Sequence, residues 1–375
     1  MNILSEQIRQ AIVLEGEISF ARFMELALYC PHYGYYEQEK DTTGRAGDFY
    51  TNLSVGSLFG ELLAFQFAQW FSETAHSNWL TAKMSPVRLV EAGAHDGRLA
   101  TDILSWLQKH RPAFFCDLEY WIIEPSVRRQ IWQKKNLCDF GGKVVWFDSL
   151  TALAQEGVCG VIFANELLDA MPTHRFGWDA GHRVWFEWGV TVVENAFAWT
   201  RMPKKTAEEG NGDVFMRWPS LPTELSAVLP DGFTTEICPL AEIWWRQAAS
   251  ALRYGKLLTI DYGLTAEQLF TPERKDGTLR SYHRQRLKND SLANVGELDI
   301  TAHVNFTALQ TAGESLRLKT ESWCSQEHYL TRIVEQIWKM NDTFGAWTPS
   351  HARQFQTLTH PEHLGRPFQV LLQSR

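Results

Sequence analysis

The chain lacks any long hydrophobic run. None of its 375 residues lies in an uninterrupted apolar stretch of about 18 residues, the length that a membrane-spanning helix requires. Residues 1–10 mix acidic, basic and apolar side chains, so they match neither a secretory signal nor an arginine-rich transit peptide. We therefore predict a cytoplasmic protein that has no membrane partner.

Closely spaced cysteine pairs are also missing. The chain has six cysteines, and no two of them form a C-x-x-C motif. This motif is typical of structural zinc sites and redox sites. Scattered cysteines of this kind indicate free thiols in a reducing compartment. We expect neither a disulfide framework nor a structural zinc site.

An excess of positive charge is absent as well. The chain has 36 Lys+Arg against 44 Asp+Glu, a net charge of −8, so we expect no nucleic-acid partner bound by bulk electrostatics. It is longer than one usual domain, which predicts one large core with insertions or two domains. A hydrophobic content of 45% is ample for such a core.

One apolar run ends in polar residues in the way that a buried parallel strand does. Residues 158–164 form a continuous hydrophobic run that Asn165 and Glu166 follow, with a proline break at Pro172. A strand covered on both faces has such a sequence, and open α/β sheets bind ligands outside the carboxyl ends of their strands. We therefore predict that Asn165 and Glu166 face a ligand.

A second apolar run leads into a glycine turn. Residues 87–91 are followed by Gly93, Gly97 and apolar residues at helical spacing, which predicts strand, turn and helix. Glycines in such a turn let the backbone approach a ligand, and the helix start offers unpaired N–H groups. A third run, residues 120–123, ends in Glu124, whose carboxylate can accept both hydroxyls of a ribose.

The order of these elements predicts an α/β fold with a seven-stranded doubly wound Rossmann-like sheet. Aromatic residues at 183–188 and 196–200 favour an inserted β-hairpin, and residues 255–263 form a further strand that ends in Asp261 and Tyr262. The predicted parts of the chain are a helical N-terminal segment with a substrate-side loop at 1–84, the first half of the core at 85–172, an inserted β-rich substrate region at 173–238, and the second half of the core at 239–375 with a substrate-side loop at 264–306.

Several short strings of unlike residues are distributed along nearly the whole chain. They are Gly47–Thr51, Leu58–Glu61, Val90–Gly93, Asn165–Pro172, Asp261–Gly263, Gly277–Arg280 and Asp299–Phe306. With these strings the chain resembles the MidA-like family of class I S-adenosylmethionine (SAM)-dependent methyltransferases, the bacterial relatives of the mitochondrial arginine methyltransferase that assists complex I assembly. The most specific are Asn-Glu-x-x-Asp-Ala-x-Pro and Asp-Ile-Thr-Ala-His-Val, because each fixes several unlike residues at a set spacing.

The chain departs from the family pattern at two places. The family turn is closer to Gly-Pro-Gly-x-Gly, whereas this chain has Gly93-Ala94-His95-Asp96-Gly97, so His95 stands where a glycine is usual. A histidine there adds bulk beside the expected methionine moiety of SAM. After Thr51, the stretch Asn52–Gly56 replaces a family stretch nearer Ser-Pro-Glu-Ile-Ser, which indicates a different substrate preference.

The resemblance implies SAM as the cofactor and S-adenosylhomocysteine as the product, and it assigns three groups of residues. The predicted cofactor-binding residues are Glu91, Gly93, Ala94, Gly97, Glu124, Asp148, Ser149 and Asn165. The predicted catalytic residues are Asn165, Glu166 and Asp169. The predicted substrate-binding residues are Asp48, Thr51, Tyr262, Arg280, Asp299 and His303.

The resemblance favours methyl transfer to an arginine of a protein partner and leaves a homodimer open. Two alternatives share the same cofactor: a SAM-dependent small-molecule methyltransferase, and a catalytically silent binding or assembly module. A nicotinamide dehydrogenase is disfavoured, because Gly93 to Gly97 give G-x-x-x-G rather than G-x-G-x-x-G. Asp299 and His303 stand four apart, which on a helix would place them on one face, but no third ligand is evident at that spacing, so we predict no metal site.

Overall fold

The chain is organised as two compact units in the computed structural model, which describes residues 2–38, 51–74, 86–153, 156–203, 228–283, 286–340 and 344–375. Unit 1 comprises Met1–Lys40, Leu168–Ile243 and Gly263–Leu309. Unit 2 comprises Asp41–Leu167, Trp244–Tyr262 and Gln310–Arg375. The division predicted from the sequence follows the order of the chain, whereas each unit joins segments that lie far apart in it.

The described residues form short strands and amphipathic helices. In chain order the strands are β1 (Ile18–Ser19), β2 (Val87–Ala92), β3 (Leu118–Ile123), β4 (Val144–Phe147), β5 (Val158–Asn165), β6 (His174–Asp179), β7 (Val184–Val193), β8 (Ala196–Arg201), β9 (Thr234–Ile237), β10 (Leu252–Leu264), β11 (Arg280–His283), β12 (Arg286–Lys288), β13 (Asp299–Thr301), β14 (Val304–Asn305), β15 (Lys319–Ser325) and β16 (Phe368–Ser374). The helices are α1 (Ile3–Glu15), α2 (Phe20–Tyr29), α3 (Asn52–Val55), α4 (Leu58–Thr74), α5 (Arg98–His110), α6 (Pro112–Asp117), α7 (Val127–Asn136), α8 (Pro239–Ala251), α9 (Ala266–Leu269), α10 (Phe306–Ser315), α11 (Gln326–Lys339) and α12 (Pro349–Leu358). In this part of the chain, none of the helices has both the length and the apolar character that crossing a membrane requires.

Unit 2 is built on a mostly parallel sheet with the strand order β15-β16-β10-β5-β2-β3-β4. Strand β2 pairs in parallel with β3 and β5, and β10 pairs in parallel with β5. At one end of the sheet, the edge strand β15 is antiparallel to β16, and β16 is antiparallel to β10. The predicted α/β fold with a seven-stranded Rossmann-like sheet is confirmed.

The strand order of this sheet reverses between β2 and β5. The chain runs outward from β2 to β3 and β4 and then returns to β5 on the other side of β2. Open α/β sheets bind ligands at such a reversal, outside the carboxyl ends of the strands. The glycine turn follows β2 and Asn165 ends β5, so both lie at this reversal.

Helix α5 forms after the turn because its apolar residues recur at helical spacing. Leu99, Ile103 and Trp106 are buried in one core cluster with Phe65 and Phe163. Full burial of such side chains contributes roughly 1.5–3 kcal/mol each. This packing holds the start of α5, and with it the glycine turn, against the sheet.

Unit 1 is built from antiparallel sheets. Strands β1, β7, β6 and β9 pair in that order and β8 pairs with β7, so the aromatic hairpin expected from the sequence is part of a five-stranded sheet. A three-stranded sheet has the order β12-β11-β13, and β14 pairs in parallel with Gly263 and Leu264. Helices α1 and α2 contribute Leu4, Ile8 and Phe23 to the core of this unit.

Candidate active site

The glycine turn of unit 2 joins β2 to α5 through backbone conformations that few residues adopt. Gly93, His95 and Gly97 have φ values of 74°, 47° and 87°, all in the left-handed region that favours glycine. The carbonyl of His95 accepts a hydrogen bond of 3.0 Å from the side chain of Gln133, which helps to hold this unfavourable conformation. Gly97 is the N-cap of α5 and offers no side-chain cap, so the helix start relies on other partners.

Both glycines of the turn also lie against neighbouring side chains. A Cβ atom at Gly93 would lie 2.8 Å from Cδ1 of Leu167, and one at Gly97 would lie 3.1 Å from Cδ1 of Leu137. Ala94, between them, is buried. Glycine at residue 93 therefore suits the backbone conformation and avoids crowding against Leu167, in addition to any close approach by a ligand.

Glu91 is a buried acid on β2. Its carboxylate accepts a hydrogen bond of 2.6 Å from the Tyr120 hydroxyl on β3, and 3% of the residue is exposed. Burial raises the pKa of Glu91 to about 8, although the Tyr120 hydrogen bond opposes the rise, and the charge of Asp96 adds to it. At pH 7 the side chain is therefore mostly neutral.

Glu124, which the sequence predicts to bind ribose hydroxyls, is fully buried after β3. Its carboxylate accepts hydrogen bonds from the N–H of Ser126 at 2.9 Å and from the side chain of Gln133 at 3.2 Å, and it pairs with Arg129 at 3.1 Å. Because a carboxylate offers about four lone-pair positions, the protein itself occupies most of them. Since the carboxylate is also fully buried, we expect a ribose hydroxyl to displace one of these donors when it binds Glu124.

Asp148 and Ser149 follow β4, the next strand of the sheet. The carboxylate of Asp148 accepts a hydrogen bond of 3.2 Å from Nε2 of Gln130, which also donates to the carbonyl of Glu124 at 2.8 Å. Ser149 shares a hydrogen bond of 2.7 Å with Thr151. Gln130 thus ties the ends of β3 and β4 together and brings Glu124 and Asp148 to the same edge.

Asn165 and Glu166 form a strongly constrained strand end. Glu166 has a φ of 51°, a left-handed conformation that costs a non-glycine residue roughly 1–2 kcal/mol, and its N–H donates to the carbonyl of Ile260 at 3.0 Å. The Oε1 of Glu166 accepts hydrogen bonds from the side-chain amide of Asn165 at 3.0 Å and from the N–H of Asn52 at 3.2 Å. Because strained residues cluster at functional sites, this strand end is the strongest candidate for chemistry.

The chain around the end of β10 supports the same strand end. Asp261 is fully buried, and its oxygens accept hydrogen bonds from the N–H groups of Leu167 at 3.2 Å and Tyr262 at 2.8 Å. Tyr262 packs against Phe368, with ring centroids 4.0 Å apart. Asp261 therefore fixes the backbone that follows Glu166.

The predicted substrate residues Thr51 and Asp48 belong to one stretch of the sequence. Thr51 is the N-cap of α3, and its Oγ1 accepts a hydrogen bond of 3.2 Å from the N–H of Ser54. This cap positions Asn52, whose N–H donates to Oε1 of Glu166 and whose side-chain amide donates to Oδ1 of Asn165 at 3.1 Å. Asp48 lies outside the described residues.

In unit 1, Asp169 and His303 line one cavity of about 230 Å³. The buried carboxylate of Glu236 lines it as well and pairs with Arg175 at 3.4 Å. Burial lowers the pKa of His303 to about 4, and the positive charges of two nearby arginines act in the same direction. The cavity thus combines two carboxylates with an imidazole that is neutral at pH 7.

Asp299 and Arg280 lie on neighbouring strands of the three-stranded sheet in unit 1. The carboxylate of Asp299 accepts a hydrogen bond of 2.7 Å from the Tyr36 hydroxyl, whereas Arg280 is exposed. Asp299 begins strand β13 and His303 follows it, so the two do not share a helical face. Among the residues that the structure describes, no group of three or more His, Cys, Asp and Glu side chains could hold a metal ion.

The predicted catalytic residues are divided between the units, with Asn165 and Glu166 in unit 2 and Asp169 in unit 1. Sequence reasoning missed Asn52, Gln326 and Glu236, three buried polar residues whose partners lie far away in the chain. The departure from the family pattern after Thr51 was the one signal that could have identified Asn52. No local pattern marks the other two.

The comparisons with known proteins agree with this architecture. The model of a family described as S-adenosyl-L-methionine-dependent methyltransferase matches residues 62–323, well over half of the chain. A crystal structure of a Burkholderia thailandensis protein bound to S-adenosyl-homocysteine is similar with a TM-score of 0.79 and 28% sequence identity, covering 99% of this chain and 92% of that chain.

Curated relatives point to the same class of enzyme. The protein arginine methyltransferase NDUFAF7 homolog, mitochondrial, of Drosophila melanogaster is 26% identical over 333 residues, which cover 83% of this chain and 70% of that protein. The protein arginine methyltransferase NDUFAF7, mitochondrial, of Homo sapiens is 26% identical over 324 residues, which cover 79% of this chain and 65% of that protein. The family match, the sheet with its reversal of strand order and the polar strand ends together show that the chain belongs to the MidA-like family of SAM-dependent methyltransferases and uses SAM as its methyl donor.

Proposed function

We propose that the protein transfers a methyl group from SAM to an arginine side chain of a protein partner. The observation that carries this proposal is the Glu166 carboxylate, which two hydrogen bonds hold in a strained backbone conformation at the end of β5. An arginine guanidinium stays protonated at ordinary pH, and carboxylates orient it through paired hydrogen bonds. The names of the curated relatives, at 26% identity, support the same acceptor.

The residues at the strand ends of unit 2 fit the chemistry of SAM. SAM supplies a methyl group from a sulfonium cation, and nearby carboxylate side chains stabilise such a positive charge. The turn from Gly93 to Gly97 leads into the start of α5, a position that favours negative ligand groups. The neutral Glu91 behind it adds no repulsive charge toward the carboxylate of the methionine moiety. Glu124 and Asp148 offer carboxylates for hydroxyl and amine groups.

In this proposal the residues of unit 2 have two tasks. The cofactor is held by Glu91, Gly93, Ala94, Gly97, Glu124, Asp148, Ser149 and Asn165. Glu166 then orients the acceptor nitrogen, because methyl transfer depends mainly on the alignment of sulfur, methyl group and nucleophile. Asn165 contributes to both tasks, since its amide holds Oε1 of Glu166 in place.

We also propose that the acceptor substrate contacts Asp48, Thr51, Tyr262, Arg280, Asp299 and His303, and that Asp169 assists catalysis. The support for Asp169 and His303 is the cavity that both line, since buried carboxylates beside a neutral imidazole suit a cationic side chain. The support for Asp299 is its hydrogen bond to Tyr36, which fixes the direction of the carboxylate.

The experiment that tests the proposed function is transfer from radiolabelled SAM to proteins of a cell lysate, followed by mass spectrometry of the labelled band. Methylarginine in that band is the expected result. Label in a small molecule alone would favour the small-molecule alternative. Stabilisation by S-adenosylhomocysteine without any transfer would favour a silent binding module; a ligand at a hundredfold its dissociation constant adds about 2.7 kcal/mol.

We propose a cytoplasmic location on the basis of the cysteines. All six are free thiols, which suits a reducing compartment. Cell fractionation followed by immunoblotting tests this location. Recovery in an oxidising compartment would contradict it.

A further inference from the structure

Three side-chain amides in unit 2 connect the end of α12 to Glu166. Nε2 of Gln326 donates to the carbonyl of Leu358 at 3.0 Å and to Oδ1 of Asn52 at 2.8 Å. Nδ2 of Asn52 donates to Oδ1 of Asn165 at 3.1 Å, and Nδ2 of Asn165 donates to Oε1 of Glu166 at 3.0 Å. Gln326 and Asn52 are fully buried. We call the three amides of Gln326, Asn52 and Asn165 the amide relay.

The amide relay has one consistent polarity, because both of its ends are acceptors. The carbonyl of Leu358 and the carboxylate of Glu166 only accept hydrogen bonds, so an NH₂ group must face each of them. Asn52, in the middle, then has to present its oxygen to Gln326 and its nitrogen to Asn165. Oε1 of Gln326 has no hydrogen-bond partner within the described ranges, a cost that this fixed polarity explains.

We propose that Asn52 and Gln326 are positioning residues for methyl transfer, which act by keeping the NH₂ group of Asn165 turned toward the Glu166 carboxylate. This inference rests on the proposed function of Glu166. A donor fixed on Oε1 sets the direction of the whole carboxylate, and catalysis by alignment requires the reacting groups to be held by supporting residues.

Two features distinguish the amide relay from an ordinary buried polar contact. Asn52 and Gln326 both lie outside residues 62–323, the part that matches the family model, and Asn52 opens the stretch where the chain departs from the family pattern. The N–H of Asn52 also donates to Oε1 of Glu166 at 3.2 Å. Asn52 therefore acts on this carboxylate both directly and through Asn165.

Reversing the polarity of the relay at its far end tests the proposal. Gln326→Glu places a carboxylate against two acceptors, the carbonyl of Leu358 and Oδ1 of Asn52. When Asn52 and Asn165 turn their amides to relieve this repulsion, the oxygen of Asn165 comes to face Glu166. Gln326→Met is the matched comparison, because it is similar in length and removes the donor without introducing a charge or reversing the polarity.

We expect Gln326→Glu to lower kcat by about 10- to 100-fold, because it reverses the polarity, and Gln326→Met by about 3- to 10-fold, because it only removes the donor, with KM for SAM nearly unchanged in both variants. Asn52→Asp reverses the same polarity one step closer and should behave like Gln326→Glu. Thermal denaturation of each variant separates stability from catalysis. Equal losses of kcat in the Met and Glu variants, in proportion to the loss of thermal stability, would overturn the proposal and reduce the relay to a structural contact.

A second measurement does not depend on the acceptor. In NMR spectra of the full chain labelled with ¹⁵N-asparagine, the side-chain resonances of Asn165 should shift in Gln326→Glu, and they should shift less in Gln326→Met. Unchanged resonances in Gln326→Glu would overturn the relay whether or not an acceptor is known. Shifted resonances in a protein without methyl transfer would support the relay and count against the proposed function instead.

Discussion

Unit 2 carries its polar residues at the ends of parallel strands, whereas unit 1 carries them within antiparallel sheets and around a cavity. In unit 2, the glycine turn and Glu166 depend on left-handed backbone conformations, with φ values between 47° and 87°. In unit 1, Asp299 and Glu236 depend on side-chain partners, the hydroxyl of Tyr36 and residue Thr278. The first kind of site can be located from chain order, and the second cannot.

The two units also differ in how burial acts on their titratable groups. Burial keeps Glu91 of unit 2 neutral by raising its pKa to about 8, and it keeps His303 of unit 1 neutral by lowering its pKa to about 4. Each group becomes charged at the opposite end of the pH range. The predictions below test these contrasts.

The largest effect is expected at the end of β5. Glu166→Gln retains the size of the side chain and removes its charge, so we expect kcat to fall by about 100- to 1000-fold while the melting temperature stays close to that of the wild type. Steady-state transfer from SAM to the purified acceptor measures the loss. Glu156→Gln, whose parent side chain is 58% exposed, is the control. Full turnover by Glu166→Gln would remove this residue from the site.

The next largest effect concerns Glu91 and alkaline pH. Its folded pKa of about 8 lies above the ordinary value of 4.5, so the folded state binds the proton more tightly and the stabilising contribution is lost as pH rises from about 4.5 through 8. Glu91→Gln keeps an acceptor for the Tyr120 hydroxyl and cannot ionise. We expect this variant to gain a few kcal/mol of stability relative to the wild type between pH 5 and 9.

Urea denaturation of both proteins at several pH values measures this difference. A stability difference that is independent of pH would mean that Glu91 is ionised in the folded protein at neutral pH. In that case Glu91 would be an anion in the folded protein, as is assumed for the carboxylates at the strand ends.

A smaller effect of opposite sign is expected for His303 of unit 1. Its folded pKa of about 4 lies below the ordinary value of 6.5, so the unfolded chain takes up the proton first and stability is lost as pH falls from 6.5 toward 4. His303→Gln should therefore flatten the acid side of the stability profile and leave it unchanged above pH 7. Urea denaturation of the wild type and of His303→Gln at pH 7.5 and 4.5 measures this difference in stability. An unchanged acid profile would show that His303 is accessible to protons when folded.

The smallest effect compares two glycines of nearly equal conformation, one in each unit. Gly93 has a φ of 74° and Gly232 a φ of 75°, but a Cβ at Gly93 would lie 2.8 Å from Leu167, whereas nothing lies within 4 Å of one at Gly232. We expect Gly232→Ala to cost about 1 kcal/mol of stability for the backbone alone, and Gly93→Ala about 1 kcal/mol more for crowding.

Leu167→Ala in the Gly93→Ala background should recover the extra cost, as urea denaturation of the single and double variants would measure. Equal costs at the two glycines would show that Leu167 moves aside freely. In that event, ligand approach would be the main reason for Gly93.

The parallel strands and their polar ends could be predicted because continuous apolar runs identify buried strands, and chain order places their ends on one edge. Asn165 and Glu166 were located in this way. The pairing of Glu124 with Arg129 could not be predicted, since it depends on the directions of the two side chains. The contact of Gln326 with Asn52 could not be predicted either, since the two residues lie far apart in the chain. The sheet of unit 1 likewise recruits β1 and β9 from distant segments, which no local pattern indicates.

The most direct test of SAM binding at the reversal of strand order in unit 2 is a crystal structure of the protein with S-adenosylhomocysteine. We predict that the product lies against the turn from Gly93 to Gly97 and at the ends of β3 and β5, with one donor displaced from Glu124. Product bound elsewhere, with Glu124 still engaged by Arg129 and Gln133 and these strand ends unoccupied, would contradict the assignment.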